Sequence, residues 1–250
     1  MKDLKDQPIE IPLEFKVACS IYKVSIAEVL QIFIDHVTLY DLMDKTYHEG
    51  FSEGCHTLIY CIKKKGKINP KGRSMRNCKD ILSHNLHEIE ILASKKKRGW
   101  KTTTKRSYTR CFVDSIYNAM ERFYAPANTL YLDEVTTLHL NKNFCVLCEM
   151  YECYPKEFLE YFMSYISVAD AHACMGMKYK PNFIYTFFFK IANGFGRDAT
   201  TMIELTDWEL DFYERMNAIR LEIHIIRDLQ KRADVLRAFY LTHYQTMNSN

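Results

Sequence analysis

The sequence predicts a mainly α, internally duplicated protein that ends in a long helix and has room for one short pair of strands. Only 8 Gly and 6 Pro occur in 250 residues, which favours long helices over a turn-rich β fold. Apolar side chains recur at spacings of three and four along most of the chain, as on helices with one buried face. A segment near the N-terminus also returns 129 residues later.

The first predicted elements are two helices joined by a tight turn. The first helix follows Pro12 and ends near Tyr22, and the second covers residues 26–43. Ser25 is the expected N-cap of the second helix, and Glu28 three residues later completes a capping box.

Three more helices are predicted in the middle of the chain. They cover residues 50–62, 78–94 and 108–124, where apolar side chains keep the helical spacing. The intervening stretches Lys63–Arg76 and Lys95–Arg106 contain glycine, and the first also contains proline, so both are expected to be loops.

The last part of the chain predicts one strand and a long helix. Residues 134–144 begin with an alternating, β-branched pattern that indicates a short strand. Thr206 and Glu209 form a second capping box, and the apolar pattern after them continues almost to the C-terminus. That stripe either packs on a neighbour in the same chain or joins a homodimer through residues 207–245 as a coiled coil.

The repeat pairs Phe15–Asp41 with Phe144–Asp170 without a gap. Eight of the 27 aligned positions are identical. They are Phe15/Phe144, Val17/Val146, Cys19/Cys148, Tyr22/Tyr151, Glu28/Glu157, Leu30/Leu159, Phe33/Phe162 and Asp41/Asp170. The match favours a duplicated unit of about 125 residues, with residues 1–130 as the first repeat and 131–250 as the second. The alternative is a chance likeness of two amphipathic helix pairs.

Positive charge is concentrated in the middle of the chain. Residues 63–110 hold 16 Lys and Arg against three acids, so this segment carries +13 and the rest of the chain −10. Such a segment is typical of polyanion binding, and Trp100 within it can stack on a base or sugar. The expected phosphate contacts are Lys63, Lys64, Lys65, Lys67, Lys71, Arg73, Arg76, Lys95, Lys96, Lys97, Arg98, Lys101, Lys105 and Arg106. Solvated loops, an acidic protein partner and a lipid surface are the alternatives.

The repeated segment carries the apolar spacing of a known DNA-binding motif. The positions are Ala18, Cys19, Tyr22, Val24, Val29 and Ile32 in the first copy, and Leu147, Cys148, Tyr151, Cys153, Phe158 and Tyr161 in the second. In this spacing the chain resembles helix-turn-helix DNA-binding proteins, over about 20 residues per copy. That family commonly has glycine with positive φ in the turn, where this chain has Lys23 and Glu152.

The resemblance implies that the second helix of each pair faces DNA. Gln31 would then reach an adenine edge and Lys156 a phosphate, while Asp35 and Glu160 would repel the backbone. The expected function is that of a DNA-binding accessory or regulatory protein acting on duplex DNA. The alternative is a non-catalytic interaction or scaffold module whose helix pairs are only core.

No catalytic or cofactor site is predicted. The spacing of Cys145, Cys148 and Cys153 suits a zinc site, but packing also explains these thiols, so neither a metal nor a cofactor is expected. No phosphate-binding loop, dinucleotide fingerprint or catalytic serine pattern occurs, and the protein is not expected to be an enzyme.

The predicted location is cytoplasmic, without a membrane partner. The N-terminal residues lack the apolar stretch of a signal peptide. The longest apolar run, Phe183–Ala192, is much shorter than the roughly 20 residues that span a bilayer.

Overall fold

The fold is mainly α, as the sequence predicts. A computed structural model describes residues 9–66, 76–95, 99–124, 129–133, 135–197 and 205–248. The helices are α1 Leu13–Ile21, α2 Ile26–Asp35, α3 Leu39–Met43, α4 Phe51–Lys64, α5 Lys79–Ser94, α6 Thr102–Tyr124, α7 Lys142–Tyr151, α8 Pro155–Ser164, α9 Val168–Ala173, α10 Phe183–Ala192, α11 Asp207–Glu222 and α12 Leu229–Asn248. Two short strands, β1 Thr129–Tyr131 and β2 Thr137–His139, lie between α6 and α7.

The short strand pair is confirmed. β1 and β2 are antiparallel, with Leu130 opposite Leu138. Leu138 is buried and its neighbours on β2 are exposed, which is the alternation that the sequence shows there.

Three predicted boundaries are wrong. The predicted helix over 26–43 is two helices, because the Thr38 side chain accepts a hydrogen bond from the Asp41 amide and starts α3 as an N-cap. The predicted loop 95–106 ends early, since α6 begins at Thr102. The C-terminal pattern is interrupted by a short 3₁₀ turn, Ile223–Ile225. Helix α12, of 20 residues, begins after Asp228, whose side chain accepts a hydrogen bond from the Lys231 amide.

The described chain forms two compact units that differ from the predicted repeats. The first unit contains Leu30–Tyr161 with Ile9, and the second contains Glu10–Val29 and the described residues from Phe162 onward. The division falls within α2 and within α8. A repeat boundary at residue 130 therefore remains a prediction about duplication and does not describe these units.

The first unit is built on the antiparallel hairpin of α5 and α6. Helix α3 packs on α4, α5 and α6, and α7 packs on α3 and α6. Phe158 forms the aromatic centre, 5.2 Å from Phe33 and 5.3 Å from Phe144 between ring centroids, and all three rings are fully buried. Burying a phenylalanine side chain contributes about 2–3 kcal/mol.

The second unit is built on α12. Helix α9 packs along α12, and α1 packs on both. Phe15 of α1 meets Phe162 and Phe188 in edge-on ring contacts at 6.4 and 5.9 Å. The buried stripe of α12, with Leu236 and Tyr240 almost inaccessible, is therefore occupied within this unit.

The elements recur at the offset of the sequence repeat. Helix α8 starts and ends 129 residues after α2, and Lys23 and Glu152, also 129 apart, have φ of 51° and 49°. The packing roles correspond as well: α7 lies on α3 and α6 in the first unit, and α1 lies on α9 and α12 in the second.

In the part of the chain that the structure describes, no single helix is both long and apolar enough to cross a membrane. Helices α1 and α2 meet that length and composition only as a pair, across a 99° bend.

Candidate nucleic-acid interface

The described cations that flank α5 lie at opposite ends of the α5–α6 hairpin. At one end the Cys78 thiol is 3.4 Å from the Ala119 carbonyl, and Arg76 and Lys79 are exposed there. At the other end α5 leads into Lys95. A helix of 16 residues is about 24 Å long, so Arg76 and Lys79 at one end and Lys95 and Lys101 at the other form two clusters of exposed cations roughly that distance apart.

The end of α4 carries three exposed lysines. Lys65 forms an ion pair with Glu157, while the Lys63 ammonium lies 5.3 Å from the Tyr60 ring centroid. Lys64 lies 5.5 Å from the Tyr161 ring in the same way. In both contacts the ammonium group itself lies over the ring, while the lysine residue remains exposed.

The turn between α5 and α6 presents an aromatic pair among cations. Trp100 and Tyr108 stack with ring centroids 4.9 Å apart and planes 7° apart, and Tyr108 is 56% exposed. The Lys95 ammonium lies 5.9 Å from the Trp100 ring, and Lys101 is exposed beside it. An exposed ring next to cations can stack on a base while the cations bind phosphate.

Lys105 and Arg106 are used inside the first unit. Lys105 is buried and donates to the Ala93 carbonyl at 2.6 Å, which ties the start of α6 to the end of α5. Arg106 places Nη2 at 2.7 Å from both oxygens of buried Asp41 and lies over the Phe51 ring. Lys105 and Arg106 thus already have partners within the first unit, and a phosphate contact by either of them stays a prediction.

Six of the expected phosphate contacts lie outside the described residues. They are Lys67, Lys71, Arg73, Lys96, Lys97 and Arg98. Lys65, Arg76, Lys95 and Lys101 are the nearest described cations on either side of these stretches.

Both turns of the repeated helix pairs have the backbone of a helix C-cap. Lys23 and Glu152 adopt the left-handed conformation that glycine usually supplies. After α1 the Val24 amide donates to the Cys19 carbonyl at 3.0 Å, and after α7 the Cys153 amide donates to the Cys148 carbonyl at 2.9 Å. The absence of glycine therefore does not prevent the turn.

The polar outward side chains of α2 form hydrogen bonds with the end of β2 and with the segment that follows it. Gln31 accepts from the His139 amide at 2.9 Å and donates to the His139 carbonyl at 3.1 Å. Asp35, the one exposed residue of α2, accepts from Asn141 at 3.1 Å. Both the oxygen and the nitrogen of the Gln31 side-chain amide therefore have a partner on β2. Gln31 could bind an adenine edge only if these hydrogen bonds to β2 were broken.

Helix α8 likewise offers little to a partner. Lys156 is only partly exposed, and its ammonium lies 3.7 Å from Glu160 one turn later. Ser164 is the exposed residue of this helix. A recognition helix must project its side chains into the groove of DNA. The polar outward side chains of α2 and α8 have partners within the protein, so these two helices fit a structural role better than base recognition.

The three candidate zinc ligands are buried thiols. Burial raises the pKa of Cys145 to about 11 and raises that of Cys148 well above its ordinary value, so both are neutral at pH 7. The Cys153 thiol lies 3.8 Å from that of Cys61. Within the described residues no three His, Cys, Asp or Glu side chains are arranged to hold a metal ion.

The second unit contains a buried polar cluster that the sequence did not predict. The hydroxyls of Tyr22 and Tyr185 are 2.9 Å apart, and Nδ1 of His172 is 2.6 Å from the Tyr240 hydroxyl. Desolvation and the nearby Arg220 charge lower the pKa of His172 to about 4, so the imidazole is neutral at pH 7. These residues are scattered from position 22 to position 240, and no spacing in the sequence relates them.

Comparison of the chain with protein-family models, with curated proteins and with solved structures gives no match in any of the three.

Proposed function

We propose that this protein binds nucleic acid, in the first place duplex DNA, through the first unit. The observation that carries the proposal lies where the turn between α5 and α6 meets α6: Lys95 and Lys101 lie beside the half-buried Trp100, which stacks on the exposed ring of Tyr108. Exposed cations at both ends of the hairpin support a footprint that follows the sugar–phosphate backbone.

The spacing of the two clusters suits a duplex. About 24 Å corresponds to roughly seven base pairs at 3.4 Å each, so one hairpin can reach phosphates on either side of a groove. Backbone contacts of this kind give affinity without reading the sequence, and they weaken as salt rises. An accessory or regulatory role on DNA fits that mode of binding.

The helix-turn-helix-like pairs serve in this proposal as scaffold. Their turns have the expected backbone, but Gln31 and Asp35 are bonded to the segment that leads into α7. Major-groove docking by α2 would require those bonds to break. We therefore place the nucleic acid on the hairpin and its flanking lysines.

We also propose that the chain arose by duplication of a helical unit of about 125 residues. The recurrence of helices and of left-handed turns at the offset of 129 supports it. The aligned acids Asp41 and Asp170 supply a further parallel, since each pairs with an arginine of a later long helix, Arg106 or Arg237.

The test compares matched charge changes in the two units. Lys95→Ala with Lys101→Ala removes two exposed cations of the proposed site, whereas Lys178→Ala with Lys180→Ala removes two exposed cations of the second unit. Binding to a fluorescent duplex at low salt should weaken on the order of tenfold in the first variant and change little in the second. Equal losses in both variants, or no binding by the wild type at low salt, would refute the proposal.

A second candidate function is self-association through residues 207–245. Its supporting observation is that Leu221 and Ile225, two aliphatic residues four positions apart, are 71% and 88% exposed. Sedimentation velocity over a wide range of concentration tests it. A wild-type dimer that becomes a monomer in the double variant Leu221→Ser with Ile225→Ser supports self-association. A wild-type protein that is monomeric at every concentration rejects it.

A further inference from the structure

Two buried thiols of the first unit face each other. Cys61 lies in the last turns of α4, and Cys153 lies in the turn between α7 and α8. Their sulfur atoms are 3.8 Å apart, and the residues are 3% and 2% exposed. The two sulfurs are thus in contact although 92 residues separate them in sequence.

An ion pair links the same two segments. Lys65 follows Cys61 by one helical turn, and Glu157 follows Cys153 by four residues in the first turn of α8. The Lys65 and Glu157 side chains are 30% and 38% exposed, so solvent reaches the groups next to the thiols.

The surroundings make the two thiols unequal. A hydrogen bond from the Cys153 thiol lowers the pKa of Cys61, and the Lys65 charge acts in the same direction. That same hydrogen bond and burial raise the pKa of Cys153. Such a difference suits a pair in which one sulfur attacks an oxidant and the other resolves the product.

We propose that Cys61 and Cys153 are a redox-modification site that forms an intramolecular disulfide when the protein meets a hydroperoxide. The Cys61 thiolate attacks one peroxide oxygen, which breaks the O–O bond, forms a sulfenic acid and releases hydroxide. The Cys153 sulfur then attacks the sulfenic sulfur, and the departing hydroxyl takes up a proton as water. In total two thiols and one hydrogen peroxide give one disulfide and two waters.

The bond requires only a local movement. A disulfide brings its sulfurs to about 2 Å, so the approach from 3.8 Å is under 2 Å. Cys61 is three residues from the end of α4, and Cys153 directly follows the left-handed turn residue Glu152. Both lie where a helix ends, and neither lies in the middle of one.

Exposed Cys111 on α6 provides a comparison within the same chain. The wild-type protein is treated with hydrogen peroxide, its remaining thiols are alkylated, and non-reduced peptides are analysed by mass spectrometry. The expected product is a peptide pair joined through Cys61 and Cys153, lost on reduction with dithiothreitol. Cys111→Ser should retain it, and Lys65→Gln should slow its formation several-fold.

Two outcomes overturn the proposal. One is full alkylation of Cys61 and Cys153 after Cys111 has been oxidised. The other is a disulfide that joins either thiol to a different cysteine. Because the mapping uses the wild-type chain, the result does not depend on whether a variant folds. DNA binding is not measured, so failure here leaves the proposed function untouched.

Discussion

Lys105 and Arg106 belong to the most basic part of the sequence, yet their charges are satisfied within the first unit. Lys105 shares the buried face of α6 with Thr109, Ile116 and Met120, at steps of four and seven residues. Lys95 and Lys101 precede that helix and remain exposed. The difference follows from where α6 begins, and composition alone does not reveal it.

His172 makes stability depend on pH. Its pKa is about 4 in the folded protein and 6.5 for an ordinary histidine. Between these pH values the residue is therefore protonated in the unfolded chain and neutral in the folded chain. Stability from this residue is complete above pH 6.5 and is lost as pH falls towards 4. The shift corresponds to about 3 kcal/mol.

His172→Asn isolates this effect. Chemical denaturation of wild type and variant at pH 7 and at pH 4.5 gives two differences in unfolding free energy. We expect the wild type to lose about 2–3 kcal/mol more than the variant on acidification, because asparagine does not titrate. The same acid sensitivity in both proteins would show that other groups cause it.

The hydrogen-bond partners in such clusters cannot be predicted from the sequence around a single residue. Tyr22 belongs to the repeat, but nothing near it in sequence indicates Tyr185 as its hydrogen-bond partner. Arg106 and Asp41 are 65 positions apart and are joined only by the fold. Long-range polar partners of this kind require coordinates.

At the scale of elements, the turn after α7 stores backbone strain. Glu152 has φ of 49°, a conformation that costs an L-residue about 1 kcal/mol and glycine almost nothing. Glu152→Gly should therefore be more stable than Glu152→Ala by about 1 kcal/mol. Both changes remove the same side chain, so their difference in unfolding free energy reports the backbone. Equal stability would contradict a left-handed residue at this position.

The start of α11 offers a second element-scale prediction. Thr206 accepts from the Glu209 amide, and Glu209 accepts from the Thr206 amide at 2.8 Å, which completes the predicted capping box. Thr206→Ala should destabilise the protein by about 1 kcal/mol. Thr242→Ala on exposed α12 surface is the control, and a thermal melt that shifts equally in both would reject the cap.

Helices with strong periodicity could be predicted, and their ends could not. The spacing of apolar residues located α4 and α5 within a few residues. The break at Thr38 depends on a local N-cap to the Asp41 amide, whereas the early start of α6 at Thr102 is accompanied by a distant contact, that of Lys105 with the Ala93 carbonyl. Of the candidate site, the sequence indicated the cations and Trp100, but not that Lys105 and Arg106 have partners within the first unit.

At the scale of the whole molecule, each compact unit draws on both halves of the sequence. The first unit extends through residue 161, and the second begins with residues 10–29. A cut between Pro126 and Ala127 therefore leaves both units with segments from each fragment. Packing of α7 on α6, and of α1 on α12, should hold the fragments together.

A protease site inserted at that cut tests the arrangement. After cleavage the two fragments should co-elute on gel filtration in native buffer and separate in denaturant. Separation in native buffer would contradict the division into units that share both halves. The experiment uses the full chain and needs no fragment to fold alone.

The central claim is that exposed cations of the first unit bind the DNA backbone, and the salt dependence of binding tests it most directly. The logarithm of the association constant should fall linearly with the logarithm of salt concentration, with a slope of about −0.9 per phosphate contact. Lys95→Ala with Lys101→Ala should make that slope shallower by roughly 1.8, while Lys178→Ala with Lys180→Ala leaves it unchanged. An unchanged slope in the first variant would contradict the claim.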